Sequence, residues 1–178
     1  MASEVRERAK RIFGNPVKAP DKAPDDLSDV LGGFQWGSNV TPPNRSQMRG
    51  ALELISVRYR DGNRGTPKFT TGIRTHHPVT GQPDRNLHPL GLAFDIETHI
   101  RQTDGTWRAI FSDNFIENTA RELQTLGYRV KIEPHGTGPH MHVEANHRTD
   151  PIVGAELAAH RARIDAMTTV ADTDVRNP

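Results

Sequence analysis

HPLGLAFDIE, residues 88–97, decides how this chain is read. From Leu92 onward it alternates: Leu92, Phe94 and Ile96 fall on one side of an extended strand, while Ala93, Asp95 and Glu97 fall on the other. Such a strand buries one apolar face and turns Asp95 toward a cleft or solvent. His88 stands beside Pro89 in the loop that leads in. Either the two residues belong to an ordinary loop-to-strand passage, or they are two thirds of a metal site whose last ligand lies elsewhere.

The surroundings supply more strands and several helices. PKFTTGI (67–73), YRVKIE (128–133) and HMHVEA (140–145) read as strands, the last two joined across a Gly/Pro turn, and a hairpin around Asp104-Gly105 returns through Trp107 and Ile110. Asn44 with Gln47 offers a capping box before Met48, Leu52, Ile55 and Tyr59 at helical spacing, ending at Asp61-Gly62. Asn114 with Glu117 offers another, before Ile116, Ala120, Leu123 and Leu126, closed by Gly127. A last helix is expected over 154–167, through Ala155, Leu157, Ala158, Ile164 and Met167. The pattern predicts an α+β fold: a small mixed or antiparallel sheet flanked by helices. Residues 1–43 read as an amino-terminal arm, with a short charged helix over 2–12 and a local anchor at Phe34 and Trp36. Residues 44–168 form the domain, and 169–178 a flexible tail.

Composition narrows the chemistry. With 178 residues, 34% of them hydrophobic, and a mean hydropathy of -0.68, the chain holds one domain with a small core. It has no cysteine, so any zinc or iron must be held by nitrogen and oxygen. A formal charge of +1 gives no global pull toward nucleic acid or membrane. No apolar run is long enough to insert in a bilayer, and MASEVRERAKR lacks the apolar stretch of a secretory signal, so the expected site of synthesis and folding is the cytoplasm.

In HMH, residues 140–142, two imidazoles two positions apart leave a strand on the same face, while Met141 and Val143 turn to the core. Taken singly, His88, Asp95 and the histidine pair each have an ordinary structural reading. Taken together, His88, Asp95 and His142 supply two imidazole nitrogens and one carboxylate, a ligand set for catalytic Zn2+ that leaves a fourth position for water. Small residues at Gly91 and Ala93 are expected to keep the cleft wall low beside the ligands.

TTGIRT (70–75), NLHPLGLAFDI (86–96) and PHMHVE (139–144) resemble, in order, the arginine segment, the SxHxxGxAxD motif and the HxH motif of one zinc peptidase family. It includes D-alanyl-D-alanine carboxypeptidases, phage L-alanyl-D-glutamate endolysins, murein endopeptidases and the amino-terminal domain of Hedgehog. The resemblance spans roughly residues 44–147 and implies a Hedgehog/DD-peptidase-like fold. It implies that His88, Asp95 and His142 ligate zinc, that His140 stabilises the oxyanion, and that Arg74 binds a substrate carboxylate or carbonyl.

The chain departs from the family pattern in two places. Asn86 stands where the motif has serine, and the acid that many relatives carry three to six residues before the last zinc histidine is missing from Gly136–Pro139. Glu133 is the candidate general base, provided it shares a cleft with His140. Glu144, of the same parity as His142, is a candidate to orient a ligand ring, and His135 a candidate proton carrier or turn residue. The loop THHPVTGQPDRN (75–86) is expected to overhang the cleft, with His76 and His77 as surface residues.

The expected function is zinc-dependent hydrolysis of amide bonds in peptidoglycan stem peptides or cross-links, at the cell wall after release or within a phage particle. The alternative is a non-catalytic zinc-containing module of the same fold, tied into a larger assembly such as a phage particle through the amino-terminal arm. Two other HxH classes fit less well. A nuclease with a downstream tyrosine is opposed by Tyr59 and Tyr128, which both precede the motif, and by the lack of a basic stripe. A cupin is opposed by the helices.

Overall fold

The structure is a computed structural model that describes residues 26–134 and 138–174. The expected helix over 2–12, His135 and the last four residues lie outside the described residues. In order, the elements are α1 (Ser28–Leu31), β1 (Gln35–Trp36), α2 (Arg49–Asp61), β2 (Lys68–Thr71), β3 (Ala93–Glu97), β4 (His99–Arg101), β5 (Trp107–Ala109), α3 (Phe115–Thr125), β6 (Arg129–Glu133), β7 (His140–Glu144) and α4 (Pro151–Asp174). This is an α+β fold with an open, mixed five-stranded sheet in the order β1-β2-β3-β7-β6 and a separate two-stranded sheet of β4 and β5. β1 runs parallel to β2, and the other pairs are antiparallel.

Period-two patterning gives the sheet two different faces. Phe94 and Ile96 of β3 lie opposite Val143 and Met141 of β7, and all four are buried in the core. The alternate positions, Asp95 and Glu97, lie opposite His142 and His140, so the polar residues of the two central strands share the other face. Helix α2 covers the apolar side with Ala51, Leu52, Ile55 and Tyr59, and α3 does so with Phe115, Ile116, Thr119, Ala120 and Leu123. Leu126, expected on that stripe, is largely exposed because α3 has ended and Gly127 turns the chain at φ 94°.

Several local expectations are corrected. Ser46–Met48 makes a 3-10 turn before α2, and neither Asn44 nor Asn114 makes the expected capping bond. Asn44 instead sits against Gly91, while the Gln47 carbonyl accepts the Tyr128 hydroxyl at 2.9 Å. At α3 the carboxylate of Asp113, rather than Asn114, accepts the amide of Phe115 at 3.2 Å. Helix α4 starts earlier and ends later than expected: Asp150 accepts the Ile152 and Val153 amides, and Val153, Leu157 and Ile164 form its buried stripe, leaving Met167 exposed.

The anchor read at Phe34 belongs to a larger feature. Leu27 and Phe34 enter the core, Phe34 stacks on Phe69 at 4.8 Å, and β1 adds an edge strand to the sheet. A two-residue strand pairing parallel with a partner more than thirty positions away leaves no periodic trace in the sequence. Among the described residues, no helix is long and apolar enough to cross a membrane.

Candidate metal centre

His88, Asp95 and His142 meet on the polar face of the sheet, all buried, with one ligand atom from each lying within 4.8 Å of the others. The two outer partners are placed by β3–β7 register, since Asp95 is the direct cross-strand neighbour of His142. His88 arrives from a 3-10 turn, His88–Leu90, that ends at Gly91 in the left-handed conformation, φ 69°. The side-chain oxygen of Asn86 accepts the His88 amide at 2.9 Å, so the residue at the serine position of the motif fixes the backbone that carries the first histidine.

A hydrogen bond specifies which ring atom His88 offers. His88 Nδ1 lies 2.7 Å from the carbonyl oxygen of Gly72. A carbonyl only accepts, so Nδ1 carries a proton, and in the neutral ring Nε2 presents a lone pair. That Nε2 is fully buried and finds no hydrogen-bond partner among the described residues, yet it faces Asp95 Oδ1 at 3.5 Å. An imidazole lone pair set against a carboxylate oxygen in a buried site is unfavourable by itself, and either a proton or a metal ion between them relieves it. The donor set of two imidazoles and a carboxylate fits zinc, and the second hydrogen bond from Nδ1 to a backbone carbonyl is the arrangement that orients a ligating ring.

Electrostatics in the metal-free chain follow the same geometry. Burial works to raise the pKa of Asp95, but the hydrogen bond from His142 and the closeness of the two imidazoles outweigh it and hold the carboxyl well below the usual range. Burial opposes charge on His142 too, yet Asp95 at 2.8 Å on Nδ1 and Glu144 at 3.3 Å on Nε2 push its pKa up to about 9. Burial likewise works to raise the pKa of Glu144, but His142 and Arg129 bring it below its ordinary value.

The other residues named from sequence surround this centre. His140 Nδ1 donates to the Gly138 carbonyl at 2.7 Å, leaving Nε2 3.8 Å from Asp95 Oδ1 and 3.5 Å from Glu133 Oε2. Glu133 is the cross-strand partner of His140, so the two share a face, as a role for Glu133 beside the candidate centre requires. Gly138 has φ 128°, and a Cβ there would lie 2.5 Å from the Trp107 ring, so only glycine lets the β4–β5 hairpin close against this turn. Arg74 is tied up on the protein side: Nε donates to Asp84 at 2.6 Å and Nη1 lies 3.6 Å from Asp95 Oδ2.

A cleft of about 250 Å3 opens over these groups, with Arg74, Glu133, His140 and His142 on its floor and His77, Pro78 and Val79 from the expected overhanging loop on its rim. His77 Nδ1 accepts the amides of Val79 and Thr80, a turn role consistent with its reading as a loop residue. Gly91 and Ala93 do not line the cleft. Ala93 is fully buried beside β7, and Gly91 is needed for its left-handed backbone and for the close approach of Asn44. Sequence reasoning missed Asp84, the Gly72 carbonyl and the Trp107–Gly138 contact, because none of them has a spacing that announces it.

Compared with protein-family models, with curated proteins and with solved structures, the chain shows no match.

Proposed function

We propose that the protein is a zinc peptidase that hydrolyses amide bonds in peptidoglycan stem peptides or cross-links, with a Hedgehog/DD-peptidase-like fold. The observation that carries the reading is the buried, unpartnered Nε2 of His88, which faces the carboxylate of Asp95, while Asp95 and His142 line the open cleft. His88, Asp95 and His142 would hold the ion. The chemistry it supplies when bound is polarisation of a carbonyl and acidification of a water molecule.

The chain's own residues supply the rest. Glu133, partly exposed at the cleft and within 3.5 Å of His140, takes a proton from the attacking water and returns it to the leaving amine. His140, its Nδ1 proton committed to Gly138, directs Nε2 into the cleft, where in its protonated form it donates to the oxygen that gains charge. Arg74 is held rigid by Asp84 and Asp95, and its remaining N–H groups orient a substrate carbonyl. The cleft suits a short D-configured peptide better than a folded chain. Such a substrate places the protein at the cell wall, after release from the cell or as part of a phage particle.

The second reading, a non-catalytic zinc module, draws on the lack of an acid over 136–139 and on the arginine already bound to two carboxylates. One comparison separates the two. Purified protein is assayed for zinc content and for release of new amino termini from peptidoglycan, beside His142→Ala and Glu133→Gln. The peptidase reading expects zinc and turnover in the parent, neither in His142→Ala, and zinc without turnover in Glu133→Gln. Zinc with no turnover in the parent supports the module, and equal zinc in parent and His142→Ala removes the ligand assignment.

A further inference from the structure

We infer that helix α4 latches the turn that carries His88, and that His160 and Glu156 are the positioning residues through which it does so. The inference rests on His88 as a metal ligand in the proposed peptidase, and it concerns residues that touch neither the ion nor the cleft.

Helix α4 docks through Val153, Leu157 and Ile164, all buried. Position 160 falls on the same line, one turn beyond Leu157, so the helix delivers a partly buried imidazole along with its apolar stripe. His160 Nε2 lies 2.7 Å from the Asp84 carbonyl oxygen, which only accepts, so the ring donates. Asp84 is 2% exposed, and its carboxylate accepts the Asn86 amide at 3.0 Å. The Asn86 side chain in turn accepts the His88 amide at 2.9 Å. An unbroken series of hydrogen bonds thus runs from α4 to the backbone of the first candidate ligand.

The far end of the turn is gripped as well. Glu156, one turn before His160, takes Arg45 in a two-pronged pair at 3.0 and 2.9 Å, with side chains only 25% and 14% exposed. Asn44 and Arg45 crowd Gly91 so closely that a Cβ there would meet Asn44 Oδ1 at 2.1 Å and Arg45 Cγ at 3.3 Å. Gly91 closes the His88–Leu90 turn, so α4 fixes one end of it through Asp84 and the other through Arg45. The Arg85–Asp165 pair also joins α4 to this region, but its partners are 51% and 61% exposed, and such a pair contributes little. Zinc holds an imidazole nitrogen at about 2.0–2.1 Å, so a turn left free to shift gives up ligand geometry before it gives up its fold.

The test measures zinc affinity by competition with a chromophoric chelator, and the visible absorption of the cobalt-substituted protein, both well below the melting temperature. His160→Ala and Glu156→Ala are each expected to bind zinc roughly tenfold more weakly than the parent, the lower end of what loss of a ligand-supporting contact costs. Their cobalt bands are expected to shift. His160→Gln, whose amide can donate in place of Nε2, is expected to restore both readings. A residue that only stabilised the fold would lower the melting temperature and leave the affinity and spectrum of the folded protein alone. Parent affinity and spectrum in either alanine variant, or an equal loss in His160→Gln and His160→Ala, overturns the latch and leaves the ligand assignment standing. A parent that takes up no zinc removes both the latch and the peptidase reading.

Discussion

Gly91→Ala tests the link between backbone conformation and the candidate metal centre. Gly91 has φ 69°, and a Cβ added there would sit 2.1 Å from Asn44 Oδ1 and 3.3 Å from Arg45 Cγ. An L-residue held in the left-handed region costs about 1 kcal/mol or somewhat more. The contact with Asn44 adds a further cost, of the order of 1 kcal/mol if that side chain can swing away. The sum, about 2–3 kcal/mol, corresponds to a fall in melting temperature of roughly 5–10 °C for a chain of this length. Because the Gly91 amide donates to the His88 carbonyl at 3.0 Å, the strain is passed to the turn that carries a candidate ligand, and zinc affinity should fall with stability. Urea unfolding of Gly91→Ala, Asn44→Ala and the double variant, each with zinc and with chelator, separates the two costs. The double variant should recover the contact share and leave the conformational share. A loss below about 0.5 kcal/mol in Gly91→Ala would refute the left-handed assignment, a change of the size expected for an ordinary surface substitution. Strict additivity would refute the Asn44 contact.

Three further outcomes are expected. Asp84→Asn strips the charge from a carboxylate that is 2% exposed and bonded to Arg74 and to the Asn86 amide, so unfolding free energy should drop by about 1–3 kcal/mol in denaturant titrations. Zinc uptake by metal-stripped protein at pH 7 should release about one proton, read from calorimetry in buffers of different ionisation enthalpy. The proton comes from His142, whose pKa of about 9 keeps its ring charged until the ion displaces it, and apparent affinity should therefore tighten as pH rises from 7 toward 9. Without metal the sign reverses: the raised pKa stabilises the fold fully below about 6.5, and that contribution is lost as pH climbs through about 9, which melting curves across that range will show.

The candidate site was legible wherever it depended on strand parity. Alternation in LAFDIE assigned Asp95 to the face opposite Phe94 and Ile96, and the HMH spacing set His140 and His142 on one side, because successive side chains of a strand point to opposite faces whatever lies around them. Helix positions were readable for the same reason, through their apolar stripes, although the caps were not: Asn44 sits against Gly91, a residue distant in the chain, and Asn114 gives way to its neighbour Asp113.

What the sequence by itself determined is the menu: an α+β chain, nitrogen and oxygen ligands in the absence of cysteine, and three residues of suitable chemistry, two of them, Asp95 and His142, with their strand faces assigned. Tertiary structure decided which atoms meet. The β3–β7 register brought Asp95 against His142, the Gly72 carbonyl chose the free nitrogen of His88, and Asp84 took hold of Arg74. Register, tautomer and ion pairing arise from contacts between segments distant in the chain, and local periodicity carries no information about such contacts.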